Sequence, residues 1–193
     1  MRLEPTEIPD VLLVVPKRHE DQRGHFVETY SKPVFKRMGI AADFVQDNLS
    51  FSEHQGTIRG LHFQAPPYAQ AKLVRCSRGA ILDVAVDIRR GSPTFGLHVA
   101  RVLSATNMHL LFIPRGFAHG FCTLAPATEV QYKVDAAYAP DCERGIRFDD
   151  PLLAIDWQLD GSPAFTSDRD RNLRTFTTSL SDFTYTDGTE VSP

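Results

Sequence analysis

Short apolar runs recur through the first two-thirds of the chain, broken by Gly, Pro, Asp and Asn. Their spacing of about 8–12 residues is that of strands in a β-sandwich or barrel. Ten runs read as strands: residues 11–15, 25–30, 44–51, 57–63, 72–76, 80–88, 97–103, 110–113, 119–124 and 129–134. Alternation is clearest in 80–88, where Leu82, Val84, Val86 and Ile88 share one face. Ile81, Asp83, Ala85 and Asp87 share the other, so that second face borders either solvent or a polar cavity. Only residues 32–38 read as a helix, with Pro33 near the start and Gly39 as a stop signal. The chain is irregular after Trp157, and from Thr177 to Pro193 it is rich in Ser, Thr and Asp. The expected fold is all-β, a single jelly-roll domain over residues 1–193 with short helical segments and a small C-terminal appendage. The tail 177–193 is expected to be loosely held.

Composition narrows the partners. With 193 residues and 42% hydrophobic content, the chain can bury the core of one globular domain. The net charge of −3 carries no basic footprint for nucleic acid, so an anionic substrate must be held by local Arg and Lys. The apolar runs are too short to span a bilayer. The first ten residues carry two Glu, two Pro and an Asp, unlike a targeting leader. Cys76, Cys122 and Cys142 are odd in number and lack metal-type spacing, which fits reduced thiols in a cytoplasmic protein.

The densest chemistry lies in Gly56-Thr-Ile-Arg-Gly-Leu-His-Phe-Gln64. Arg59 and His62, three apart on a strand, would face opposite ways. Gly60 between them is the kind of residue that marks a bulge, and one extra residue would turn both side chains to the same face. Without the bulge, Arg59 is a surface arginine and His62 a core histidine. In Ile113-Pro-Arg-Gly-Phe-Ala-His-Gly120, Pro114 and Gly116 form a turn before a strand carrying His119 and Phe121. That P-x-G-x-x-H pattern is similar to the second motif of the cupin superfamily of jelly rolls. Tyr132 serves either as a core aromatic or, with its acidity tuned by a cation, as a proton donor. Lys72 sits among apolar residues, and a lysine on an inward face must be paired or functional.

Further segments extend the pattern: Asp21-Gln-Arg-Gly-His-Phe26, Gln46-Asp-Asn48, Ala71-Lys-Leu-Val-Arg75, Asp83-Val-Ala-Val-Asp87, Ser92-Pro-Thr-Phe-Gly96, Tyr132-Lys133 and Tyr138-Ala-Pro140. In order and spacing, over a core of about residues 6–172, the chain resembles the dTDP-4-dehydrorhamnose 3,5-epimerase family. The resemblance implies a cupin-like jelly roll that forms homodimers, shares strands and site residues across the interface, and needs no metal or cofactor. The implied substrate is a dTDP-4-keto-6-deoxyhexose, whose C4 ketone acidifies the hydrogens on C3 and C5. By the same resemblance His62 is the base, Asp170 its orienting carboxylate, and Tyr132 the acid on the opposite face. Lys72 stabilises the enolate and helps lower the Tyr132 pKa. Arg23, Glu28, Gln46, Asn48, Arg59, His119 and Glu143 correspond to substrate contacts, and Tyr138 to a residue that stacks on thymine. Arg169 stands where the family often has Lys, which keeps the charge but changes the geometry.

Three other readings remain. Relatives acting on antibiotic sugars epimerise C3 or C5 alone and keep the same dyad and tyrosine. A metal-dependent cupin could use His62 and His119, although Gln64 stands where such sites carry a second histidine and no H-x-H triplet exists. A sugar-binding cupin would need no base, orienting acid and phenol together.

Overall fold

The computed structural model describes residues 1–177 and 182–186. Among them thirteen strands run in order: β1 (Arg2–Pro5), β2 (Leu12–Val15), β3 (Arg18–Asp21), β4 (Gly24–Val27), β5 (Gln46–Ser52), β6 (Ile58–Gln64), β7 (Lys72–Arg78), β8 (Ala80–Asp87), β9 (His98–Ser104), β10 (Leu110–Ile113), β11 (Phe117–Thr123), β12 (Thr128–Val134) and β13 (Glu143–Gly145). Helices are confined to α1 (Lys32–Arg37), one 3₁₀ turn and α2 (Asp168–Arg171). All ten apolar runs contain strand, although the run expected at 25–30 is strand only over Gly24–Val27.

Two sheets face each other. One has the order β1-β2-β10-β7-β12-β5 and the other β13-β6-β11-β8-β9. Side chains from both inner faces, among them Leu13, Val74, Leu111 and Val130 against Ile81, Val99, Leu103 and Phe121, fill the space between them. This is a two-layer jelly roll. The outer face of the six-stranded sheet is partly covered by α1, whose Phe35 packs with Ile40 on Val14, Leu73 and Leu110. Pro33 is tolerated in the first turn of α1, and Gly39, at φ +92°, lets the chain leave it.

Most of the outer face of the five-stranded sheet is covered, although Val102 of β9 is 43% exposed. Leu82, Val84 and Val86 pack beneath Leu153, Trp157, Phe176 and Phe183 from the C-terminal segment. The alternation in β8 is therefore not a core-versus-solvent pattern, because both faces are buried. Asp83 is fully buried between the sheets, where its Oδ1 lies 2.8 Å from His119 Nε2. Asp87 instead belongs to an internal network: it accepts hydrogen bonds from Arg89 Nε at 2.9 Å, Ser92 Oγ at 2.6 Å and Thr94 Oγ1 at 2.7 Å.

The tail corrects an expectation. Residues 182–186 are docked rather than loose: Phe183 is 2% exposed, and its carbonyl accepts the Arg90 N–H at 3.0 Å. The Arg89 guanidinium lies between the rings of Phe117 and Tyr185, at 4.6 and 5.0 Å from their centroids. Ser, Thr and Asp composition concealed two aromatic anchors. The rest of the expected loose tail, 178–181 and 187–193, lies outside the described residues. Phe183→Ala is expected to lower the unfolding free energy by about 3 kcal/mol. Urea unfolding checks this. A reduced midpoint at constant m is expected, whereas an unchanged midpoint would mean that the tail lies outside the cooperative unit.

Candidate active site

The site begins with a flaw in a strand. Along β6 and β11, His62 pairs with His119 and Arg59 with Phe121, so two residues on β6, Gly60 and Leu61, oppose the single Gly120 on β11. The extra residue is a bulge at Gly60, which has φ +120°. A Cβ there would lie 2.6 Å from Gly120 Cα and 2.7 Å from the His119 carbonyl oxygen, so only glycine fits. The bulge turns Arg59 and His62 to the same inner face while Ile58 and Leu61 stay in the outer core.

α2 supplies the partner. Ser167 caps it, its Oγ accepting the Asp170 N–H at 3.1 Å. Asp170 is buried and spans the bulge: Oδ2 accepts the Gly60 N–H at 3.1 Å, and Oδ1 lies 2.7 Å from His62 Nε2. Burial pushes the Asp170 pKa up. Hydrogen bonds from His62 and Gly60, with the charges of His62 and Arg169, outweigh this and hold it below the usual carboxylate range. With Asp170 ionised, the shared proton sits on Nε2, which leaves His62 Nδ1 as the basic nitrogen.

A second pair lies behind the first. His119 Nε2 is 2.8 Å from Oδ1 of the fully buried Asp83. Burial keeps the His119 pKa below its ordinary value, with Lys72 and His62 acting in the same direction and Asp83 opposing. Lys72, also buried, directs Nζ to the His62 carbonyl oxygen at 3.4 Å. Burial pulls its pKa down to about 8, against the pull of Asp83 and Glu143.

His62, Lys72, His119 and Asp170 line a cavity of about 310 Å³ together with Ser50, Arg59, Phe121, Tyr132, Ser167 and Arg169. Tyr132 stands on β12 of the six-stranded sheet, whereas His62 stands on β6 of the five-stranded one. The phenol and the imidazole therefore come from opposing walls. The expectation that Lys72 would make Tyr132 more acidic is corrected. Burial pushes the phenol above its ordinary value with help from Glu143, and the cation that opposes this is Arg59. Arg59 is steadied by Nη2 on the Phe51 carbonyl at 2.9 Å and by Nε on Ser52 Oγ at 3.2 Å.

At the mouth, Arg169 pairs with Glu143 at 2.6 Å, and the Tyr138 hydroxyl donates to Glu143 at 2.7 Å. Gln46 donates to Asn48 at 2.8 Å and accepts the Tyr138 N–H at 3.2 Å, which ties β5 to this cluster. Eleven of the thirteen candidate residues are thus brought to the cavity or its mouth. Arg23 and Glu28 are not. Arg23 lies on the exposed β3–β4 hairpin, paired with Asp21 at 2.6 Å, and Glu28 is exposed beyond β4. Sequence reasoning assigned no role to Asp83, Ser50 or Ser167. Of these, Ser167 was detectable, because Ser-Asp-Arg-Asp is a helix-capping pattern.

Among the described residues no group of three His, Cys, Asp or Glu side chains could hold a metal. His62 and His119 are adjacent in register, but each Nε2 is engaged by its own carboxylate. A larger cavity of about 380 Å³ on the outer side of the six-stranded sheet includes Leu49, Leu73, Arg75, Gln131 and Lys133. It has no imidazole–carboxylate pair.

Fold and site together define a jelly-roll protein equipped for acid–base chemistry between two facing sheets. The chain belongs to the dTDP-4-dehydrorhamnose 3,5-epimerase family, whose model matches residues 5–178. The enzyme of that name from Shigella flexneri is 48% identical over 177 residues, 91% of this chain and 96% of the relative. The solved dTDP-4-dehydrorhamnose 3,5-epimerase of Bacillus anthracis, with TDP and PPi bound, is 46% identical with a TM-score of 0.88; the match covers 91% of this chain and 99% of that one. A Legionella pneumophila dTDP-6-deoxy-D-glucose-3,5-epimerase in complex with dTDP-4-keto-L-rhamnose is 39% identical with a TM-score of 0.89, covering 96% and 98%.

Proposed function

We propose that this protein epimerises dTDP-4-dehydro-6-deoxy-D-glucose at C3 and C5, giving dTDP-4-dehydro-L-rhamnose. One observation carries the reading: a histidine–carboxylate pair and a buried phenol stand on opposite walls of one cavity. Inversion next to a ketone needs a base on one face of the sugar and an acid on the other.

His62 Nδ1 removes the proton from C3 or C5, and the C–H electron pair moves into the enolate with its charge on O4. The imidazolium formed is stabilised by Asp170. Lys72, in its charged form, meets the developing oxyanion, a contribution of about 3 kcal/mol in comparable sites. Tyr132 returns a proton to the opposite face of the same carbon, and solvent restores both residues. Burial keeps the phenol protonated at neutral pH, as a donor requires.

Arg59 and Arg169 suit the diphosphate, since a guanidinium donates two parallel bonds. Tyr138 suits the base, and Gln46, Asn48, His119 and Glu143 suit sugar and nucleotide hydroxyls. Ser50 Oγ and Asp83 Oδ2 are buried and have no hydrogen-bond partner among the described residues, so they are further candidates for polar contacts.

Arg23 and Glu28 would reach the substrate only from a second copy of the chain. A homodimer is supported by β5, an edge strand that exposes Leu49 at 59% and Phe51 at 47%, and by Phe26 on the projecting hairpin. No described helix is long and apolar enough to cross a membrane. A cytoplasmic enzyme acting on a soluble nucleotide sugar is the reading these features favour.

The test is NMR of the keto-sugar in deuterated water, coupled to a downstream reductase. Exchange at both carbons with formation of L-rhamnose is expected. Exchange at one carbon would assign a single-centre epimerase, and no exchange would leave a binding protein. Tyr132→Phe is expected to lower epimerisation about 100-fold while lowering proton exchange far less. Equal losses in both would argue against a separate acid.

A further inference from the structure

Gln64 ends β6 two residues beyond His62 and is buried. Its side-chain amide is fully committed to backbone. Nε2 donates to the carbonyls of Tyr68 at 2.7 Å and Ala137 at 3.2 Å, and Oε1 accepts the Ala139 N–H at 2.7 Å. Two of these bonds flank Tyr138. The segment between β12 and the 3₁₀ turn at Pro140–Cys142 has no regular structure of its own. Its aromatic ring is 55% exposed, so packing alone does not fix it. The tyrosine's own ties run to the mouth: its N–H to Gln46, and its hydroxyl to Glu143 with Arg169 also in hydrogen-bond contact. A loop of this kind keeps one pose only if buried groups hold its backbone, and a buried amide with all three bonds made is costly to replace.

We propose that Gln64 is a specificity-determining positioning residue, an amide clamp that holds Tyr138 as a wall for the nucleotide's base. Strand β6 thereby divides its labour. His62 serves the reacting carbons, and Gln64, one step along the same face, serves recognition of the leading nucleotide. The inference rests on reading Tyr138 as the base-stacking residue.

Kinetics and dTDP binding of Gln64→Leu, Tyr138→Ala and the double variant test it. Gln64→Leu is expected to raise both KM for the dTDP-linked substrate and Kd for dTDP about 10-fold. Its kcat and its deuterium exchange at saturation should stay within about 2-fold of wild type, and the double variant should bind no worse than Tyr138→Ala alone. Gln64→Glu keeps the acceptor for Ala139 but sets a carboxylate oxygen against two carbonyls. It should match the leucine variant in KM, and it carries the test if Gln64→Leu does not fold. Additive losses in the double variant, or a kcat that falls in step with affinity, would overturn the clamp. If Tyr138→Ala leaves dTDP affinity unchanged, the stacking reading itself fails, an outcome separate from additivity.

Discussion

Replacing His62 with alanine is expected to lower turnover about 10⁴-fold and to stop deuterium entering the sugar at both carbons beside the ketone. No other group in the cavity is placed to take over. Among the described residues, His119 is the only other imidazole lining it, and burial together with its tie to Asp83 commits that ring elsewhere. Tyr132 is held protonated by burial. Asp170→Asn should be nearly as damaging. The carboxylate fixes the tautomer of His62 and also holds the N–H of the bulge that aims it. Solvent exchange measured by NMR is the direct readout, because it reports proton abstraction even when inversion fails. Exchange at the wild-type rate in His62→Ala would remove the base assignment.

The second large effect is on pH dependence. In the proposed mechanism the enolate is stabilised by a cation at Lys72, and burial brings this lysine's pKa down to about 8. A lowered lysine pKa means that charge is present below it and lost as pH rises through it. The kcat/KM should therefore be sustained on the acid side of about pH 8 and fall about 10-fold per unit above it. Lys72→Met should remove this alkaline limb and cost about 100- to 1,000-fold at neutral pH. A profile that stays flat to pH 10 in the wild type would show that the cation is not required. Asp83 sets the position of the limb by opposing desolvation, so Asp83→Asn should move it to lower pH.

Several parts of this site could be read from local rules. Gly60 announced a bulge because a glycine inside a strand has few other uses, and the register of β6 against β11 contains one. Strands were legible where apolar residues clustered. They were not where pairing, not burial, made the strand. Arg18–Asp21 is fully exposed and carries no apolar alternation, so β3 exists only through its pairing with β4. Glu143–Gly145 is three residues long and is defined by lying against β6.

The resemblance of motifs named most of the side chains at the cavity, but it could not say what each would touch. Asp83 and Asp87 look alike in sequence, two acids on one face of one strand. They have unrelated environments, one beside His119 and one enclosed by Arg89, Ser92 and Thr94.

By itself the sequence determined most strands of the two sheets, the α-helix near its start, the candidate bulge at Gly60 and the family of the chain. These depend on spacing of two or three residues and on the backbone freedom of glycine and proline, which are local properties. Only the tertiary structure decided that His62 and Tyr132 stand on facing sheets, that burial makes Tyr132 harder and Lys72 easier to deprotonate, and that Phe183 anchors the tail. Each of these depends on what a residue far along the chain brings within a few ångströms. Desolvation and pairing across the two sheets exist only once the sheets have closed.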